Sequence, residues 1–153
     1  MLPELAFESR NVVSLVGVSE RELRHWADRG IVVPDIADAV GRPGVRRQYS
    51  FENLLQAAII KELLRQGINL HEAAKMLIVY KNSLSKHSPG RLYLVIQKGT
   101  ASVLEMKGQP AKALGARLEK LLDPHMAQDS FSVVAIHQIR ERLITHVKAM
   151  QHG

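Results

Sequence analysis

The sequence predicts a mainly α chain: an N-terminal helical unit carrying a basic flap, then a small α+β C-terminal region with a terminal amphipathic helix. Three observations carry this. Helix-capping residues precede apolar-periodic segments at Ser9, Ser19, Ser50 and Asn69. The stretch from Arg42 to Ser50 holds three arginines and no acid, next to turn-forming glycines. Two β-favouring runs flank Lys98-Gly99, and an apolar stripe at helical spacing runs to the C-terminus.

Ser9 caps a first short helix to about Val16, whose β-branched residues lower helix propensity and make it dependent on packing. Gly17 supplies the turn. Ser19-Glu20-Arg21-Glu22 fits a capping box opening a second helix, with Leu23, Trp26 and Ala27 on one face and Arg21, Arg24, His25 and Asp28 mostly on others. Gly30 ends that helix and Pro34 bars its continuation. Residues 35–48 read as a loop or short hairpin with its tip near Gly41–Gly44. Ser50 caps a third helix to about Gln66, and Asn69 opens a fourth to about Tyr80, with Glu72 completing a box-like cap. Residues 82–90 are linker-like. Leu92–Gln97 and Thr100–Met106 pair through a two-residue turn, and Pro110 begins a helix. Phe131–Ile136 is a third strand or the start of the last helix.

The expected organisation is therefore residues 1–81 as one domain, 82–90 as linker and 91–153 as an α+β region for dimerisation, effector or partner binding. With 46% hydrophobic and 24% charged residues, composition is ordinary globular. No apolar run approaches a membrane span and no secretory pattern opens the chain, so a cytoplasmic protein is expected. The absence of cysteine excludes disulfides, thiolate metal sites and cysteine nucleophiles. The net charge of +6 invites nucleic acid, but residues 1–80 hold 10 basic and 10 acidic side chains. A DNA interface there must rest on where the charges stand.

The landmarks Gly17-Val18-Ser19, Leu23-Arg24, Gly30-Ile31 with Pro34, Arg47-x-Tyr49-Ser50 with Leu54, and Leu64-x-Gln66-Gly67-Ile68 with Leu70 occur in order. On them, residues 11–78 resemble the winged helix-turn-helix domain of the MerR family of transcriptional regulators. The resemblance implies a second helix in the DNA major groove and a wing on the backbone. Ser19, Arg21, Arg24 and His25 would then belong to the recognition helix, Arg42, Arg46 and Arg47 to the wing, and Tyr49 to the hinge leaving it. The residue chemistry agrees: arginine can grip a phosphate or a guanine edge with two donors, and a capped helix start favours phosphate. The plainer alternatives are Arg24 paired with Glu20 or Asp28, Arg46 and Arg47 merely solvating a loop, and Tyr49 a structural ring. Trp26 reads as core. The segment after residue 81 departs from the family's long dimerisation helix.

Ile136, Ile139, Leu143, Val147 and Met150 form a stripe, with Ile136, Leu143 and Met150 at heptad spacing. It suits a homodimer seam or packing on local strands. His137 and His146 lie out of phase on one helix, so no metal is expected. No cofactor or catalytic motif is present, and no enzyme is expected. The expected function is a bacterial-type, sequence-specific regulator that binds double-stranded DNA as a dimer and distorts its site. The alternatives are a protein-binding adaptor of chaperone-modulator type on the same scaffold, or an excisionase-like DNA-bending factor.

Overall fold

The computed structural model describes residues 5–37, 46–84, 90–97, 99–108, 110–121 and 131–152. The chain is mainly α, with an N-terminal helix-turn-helix unit and a small C-terminal sheet ending in a helix. It divides into two compact units, Met1–Gly67 with Gln138–Gly153, and Ile68–His137. These boundaries differ from the sequence expectation. The fourth helix groups with the sheet, and the terminal helix returns to the N-terminal unit.

The first unit opens with β1 (Phe7–Glu8) and α1 (Ser9–Val12), followed by a π-helical turn over Val13–Gly17. The helix begins one residue earlier than Ser9 suggested. Glu8 is its N-cap, and the Glu8 amide donates to the Asn11 side chain at 3.3 Å. The wide π turn presents the Val16 carbonyl to Lys61, whose ammonium donates to it at 3.0 Å. Gly17 has φ +82°, and a Cβ there would stand 2.7 Å from the Lys61 Nζ. The turn between the first two helices therefore needs glycine for its backbone angle, whereas the Lys61 ammonium, at the end of a flexible side chain, can move aside.

After the turn comes α2 (Glu20–Asp28), opened by the capping box that its sequence predicts. The Glu22 amide donates to Ser19 Oγ at 3.0 Å, and the Ser19 amide donates to the Glu22 carboxylate at 3.1 Å. Leu23, Trp26 and Ala27 are buried, as their spacing requires. The helix closes with paired bonds from the Gly30 amide to the Ala27 carbonyl (3.0 Å) and from the Ile31 amide to the Trp26 carbonyl (2.8 Å). That arrangement satisfies carbonyls the helix would otherwise leave open.

The flap returns as β2 (Gln48–Tyr49). It pairs antiparallel with β1, Phe7 opposite Tyr49, while Ala37 bridges Gln48 on the other side. The tip residues 38–45, including Arg42, lie outside the described residues. Next, α3 (Phe51–Arg65) begins at Ser50 with a reciprocal Ser50–Asn53 cap. Asn53 does more than cap. At 1% exposure, its Oδ1 accepts from the Ser50 amide (3.0 Å) and the Asp35 amide (2.9 Å). Its Nδ2 donates to the Val33 carbonyl at 2.9 Å. The Ser50 hydroxyl in turn donates to the Asp35 carboxylate at 2.8 Å. One side chain thus ties the start of α3 to the irregular segment leaving α2.

The terminal helix α6 (Ile136–His152) reaches α1 and α3, with the Asn11 side chain 3.9 Å from the Met150 sulfur and Arg142 close enough to act on Glu62. Ile136, Ile139, Leu143 and Val147 are all buried within the chain, and Met150 is 40% exposed. The stripe is packed in the monomer rather than left as an open seam.

The second unit contains α4 (Leu70–Ser83), capped by Asn69 Oδ1 accepting from the Glu72 amide at 2.9 Å. Its sheet has the order β4-β3-β5, all antiparallel. The hairpin of β3 (Arg91–Gln97) and β4 (Thr100–Met106) pairs Gln97 with Thr100 across the two-residue turn expected at Lys98-Gly99. Gly99 supplies φ +76° there. The strand β5 (Ser132–Ala135) pairs with Tyr93–Ile96 and runs straight into α6, so both readings of Phe131–Ile136 hold in part. One sheet face buries Tyr93, Val95, Leu104 and Met106 beneath Leu114 and Leu118 of α5 (Leu114–Leu121). Leu92, Leu94 and Ile96 on the other face are buried too, and α4 lies along β4.

Two stability outcomes follow. Asn53→Ala strands the buried Ser50 amide and removes the part-buried bonds to the Asp35 amide and Val33 carbonyl, and should cost about 1–3 kcal/mol, read as a lower urea midpoint. Arg65, hydrogen-bonded to Glu62 at 2.7 Å, holds the Glu62 carboxyl below its usual value of 4.5, against an opposing push from burial. A lowered carboxylate pKa stabilises the fold above the unfolded-state value, and that contribution is lost as pH falls through the folded-state value. Glu62→Gln should therefore be less stable than the parent near pH 7, by under about 1 kcal/mol for so exposed a pair, and equal to it in strong acid. Urea midpoints measured across that pH range check it.

Candidate nucleic-acid interface

The site is built on α2, whose inward face is fixed by Leu23, Trp26 and Ala27. Helical geometry then turns Arg21, Arg24, His25 and Asp28 outward, and all four are exposed. Ser19 is exposed at the helix start, where its cap accounts for the Glu22 amide and its own. The Glu20 and Arg21 amides follow in the same first turn, where helix geometry leaves them without an intrahelical acceptor. Glu20 and Glu22 set negative charge beside them, which limits the pull of this helix end on an anion.

A cleft of about 490 Å³ opens beside α2. Glu20, Arg24 and Asp28 form one wall, and Glu8, Arg10, Arg46, Arg47 and Tyr49 line the rest. The spacing of Glu20, Arg24 and Asp28 is four residues, one helical turn, so a single edge of α2 faces the returning flap. Of the residues expected from sequence, the cleft gathers Arg24, Arg46, Arg47 and Tyr49; Ser19, Arg21 and His25 are exposed at α2 but do not line it, and Arg42 lies outside the described residues.

The arginines are not equivalent. Arg47 Nη2 stands 2.7 Å from Asp28 Oδ1, and its side chain is only 15% exposed. It is held in the protein, joining β2 to the last turn of α2. Arg46 is 77% exposed and 3.5 Å from Glu8 Oε2, the same oxygen that Arg10 approaches at 3.3 Å. Two solvated cations sharing one carboxylate oxygen are held weakly and can exchange it for phosphate. Arg21 and Arg24 form no ion pair among the described residues. Arg24 thus pairs with neither Glu20 nor Asp28, and the Asp28 carboxylate goes to Arg47 instead. The Tyr49 side chain is buried opposite Phe7, so its ring packs at the root of the flap.

Arg10 is the cleft residue that the sequence reading did not single out. It stands outside the motif, and no local pattern marks it. Only the pairing of β1 with β2 carries it to the flap. Among the described residues there is no cluster of three histidines or carboxylates able to hold a metal ion.

The arrangement is a capped helix with an exposed basic edge beside a returning flap. The family model described as MerR HTH family regulatory protein matches residues 7–78. Residues 7–78 are a MerR-type helix-turn-helix domain. Over 67 residues the chain is 37% identical to uncharacterized HTH-type transcriptional regulators of Mycobacterium bovis and Mycobacterium tuberculosis. The alignment spans 44% of this chain and 29% of the length of those relatives. A crystal structure of a MerR-family transcriptional regulator from Bacillus cereus aligns with 97% of this chain and 74% of its own, at 14% identity and a TM-score of 0.43.

In this MerR-type domain, Arg47 has an anchoring role that can be measured. A double-mutant cycle of Arg47→Ala with Asp28→Ala should give a coupling of about 0.5–1.5 kcal/mol in unfolding free energy. The same cycle on Arg46 with Glu8 should give a value near zero.

Proposed function

We propose that this chain is a sequence-specific regulator of transcription that binds double-stranded DNA as a homodimer. In this reading α2 enters the major groove and presents Arg21, Arg24 and His25 to base edges and phosphates. Arg46, Arg10 and the flap tip bearing Arg42 lie on the adjoining backbone. The observation that carries the reading is the single cleft shared by the outward edge of α2 and the flap. A protein that meets a groove and its flanking strand together needs this juxtaposition. The MerR-type domain and its similarity to proteins named as transcriptional regulators support the same conclusion.

Dimerisation belongs to the proposal on grounds of area. One winged domain buries about 600–1,000 Å² on DNA, little for a selective site, whereas two copies about a twofold axis read a palindrome. The buried stripe of α6 leaves Met150 as its exposed member, so the second copy meets surfaces other than Ile139, Leu143 and Val147 in this arrangement. Distortion of the bound site is part of the same proposal.

A second reading, a protein-binding adaptor, is favoured by one observation: Glu8, Glu20 and Asp28 alternate with arginines around the cleft. Such a surface suits a mixed-charge protein partner. Selection from a random duplex pool separates the two. A regulator enriches a palindromic motif, and an adaptor enriches none while retaining a protein partner. On the selected duplex, Arg24→Ala should weaken binding by about 1–3 kcal/mol if the side chain reads a base. Arg46→Ala should weaken all duplexes alike and reduce the slope of log K against log salt by about 1. Sedimentation of the free chain as a monomer at micromolar concentration, and as one copy per duplex, would refute the dimer.

A further inference from the structure

Resting on the DNA-binding reading above, we propose that Asp28 is a specificity-determining residue that reads the exocyclic amino group of a cytosine in the major groove. Asp28 stands on the outward edge of α2, one turn beyond Arg24. A carboxylate so placed would ordinarily be driven from a duplex by phosphate charge. Here Arg47 offsets it. The pair distance is 2.7 Å, and the two side chains are unequally exposed, Arg47 at 15% and Asp28 at 57%. The arginine is therefore the anchored member, and the carboxylate is the one presented outward in a fixed orientation. Arg47 takes Oδ1, and Oδ2 has no partner among the described residues.

An ionised carboxylate only accepts hydrogen bonds, so the base edge opposite it must donate. In the major groove guanine shows two acceptors, and thymine shows an acceptor and a methyl group. Adenine offers a donor, but its N7 lone pair lies beside it and repels a second oxygen. Cytosine presents its amino donor with only a C–H beside it, which suits one free carboxylate oxygen. The pair with Arg47 thus has two effects: it orients Asp28, and it leaves a single acceptor to choose the base.

The test uses the full chain and two variants, Asp28→Asn and Asp28→Ala, each put through selection from a random duplex pool and then titrated on the selected duplex. The parent should require cytosine at one position in each half-site. Asp28→Asn, which carries a donor as well as an acceptor, should lose that requirement while keeping the others. Affinity for the cytosine duplex should fall on the order of tenfold. Asp28→Ala should lose the same preference without gaining another, and circular dichroism melts confirm that both variants fold. If parent and variants enrich the same motif at every position, Asp28 is only a structural partner of Arg47 and the proposal is overturned. A change confined to an adenine position overturns the cytosine assignment. If the parent enriches no motif at all, the DNA-binding reading itself fails, a result distinct from the other two.

Discussion

The buried amide of Asn53 is the constraint on which the interface depends. The chain leaves α2 at Gly30, runs through Val33–Asp35 into the flap, and returns through Gln48–Tyr49 into α3. Both legs of that excursion meet at Asn53, which accepts from the Ser50 and Asp35 amides and donates to the Val33 carbonyl. A loop of this length would otherwise be free to swing about its two ends. Because the hub satisfies backbone groups that are shielded from water, any displacement of the flap root leaves at least one of them unpaired, at a cost of about 1–3 kcal/mol. The flap root is therefore set by polar satisfaction beneath it.

A second tie acts at the surface. Arg47 sits two residues before Tyr49, whose ring is buried at the flap root, so the guanidinium starts from a fixed backbone. Its bond to Asp28 joins that backbone to the last turn of α2. The two ties, one at buried Asn53 and one at the Arg47–Asp28 pair, together hold the spacing between helix and flap. This gives a reason for one arginine in the basic run to be unavailable to phosphate. A cation that sets geometry cannot also be the cation that is exchanged for phosphate, and in the proposed reading that part falls to exposed Arg46 and Arg10.

What was legible in the sequence was what is local. The Ser19–Glu22 box, the Ser50 start of α3, the buried Trp26 and the Lys98-Gly99 hairpin each depend on residues within a few positions of one another, and each stands where its pattern places it. The helix-turn-helix was legible because several such signals occur in fixed order. The long-range pairs were not. Nothing in the string says that the Asp28 carboxylate meets Arg47, that Asn53 reaches back to Val33, or that β1 brings Arg10 to the flap. An even balance of charges over residues 1–80 gave no guide either, because the interface is made by sorting those charges in space. Arg21 and Arg24 are left clear, while Glu8 and Asp28 are occupied by other arginines.

The terminal helix shows the same limit from the apolar side. A seven-residue recurrence is two helical turns, and it marks one buried face without naming what buries it. Ile139, Leu143 and Val147 find their cover within the chain, and by area each gains about 2 kcal/mol there. That burial stabilises the N-terminal unit with a segment distant in sequence, so the helix-turn-helix domain gains stability from the helix as well as from its own short core. It also removes the stripe from competition for a second copy. A surface that would otherwise be a seam for association is closed within the chain, and the fold of the helix-turn-helix unit is thereby coupled to α6.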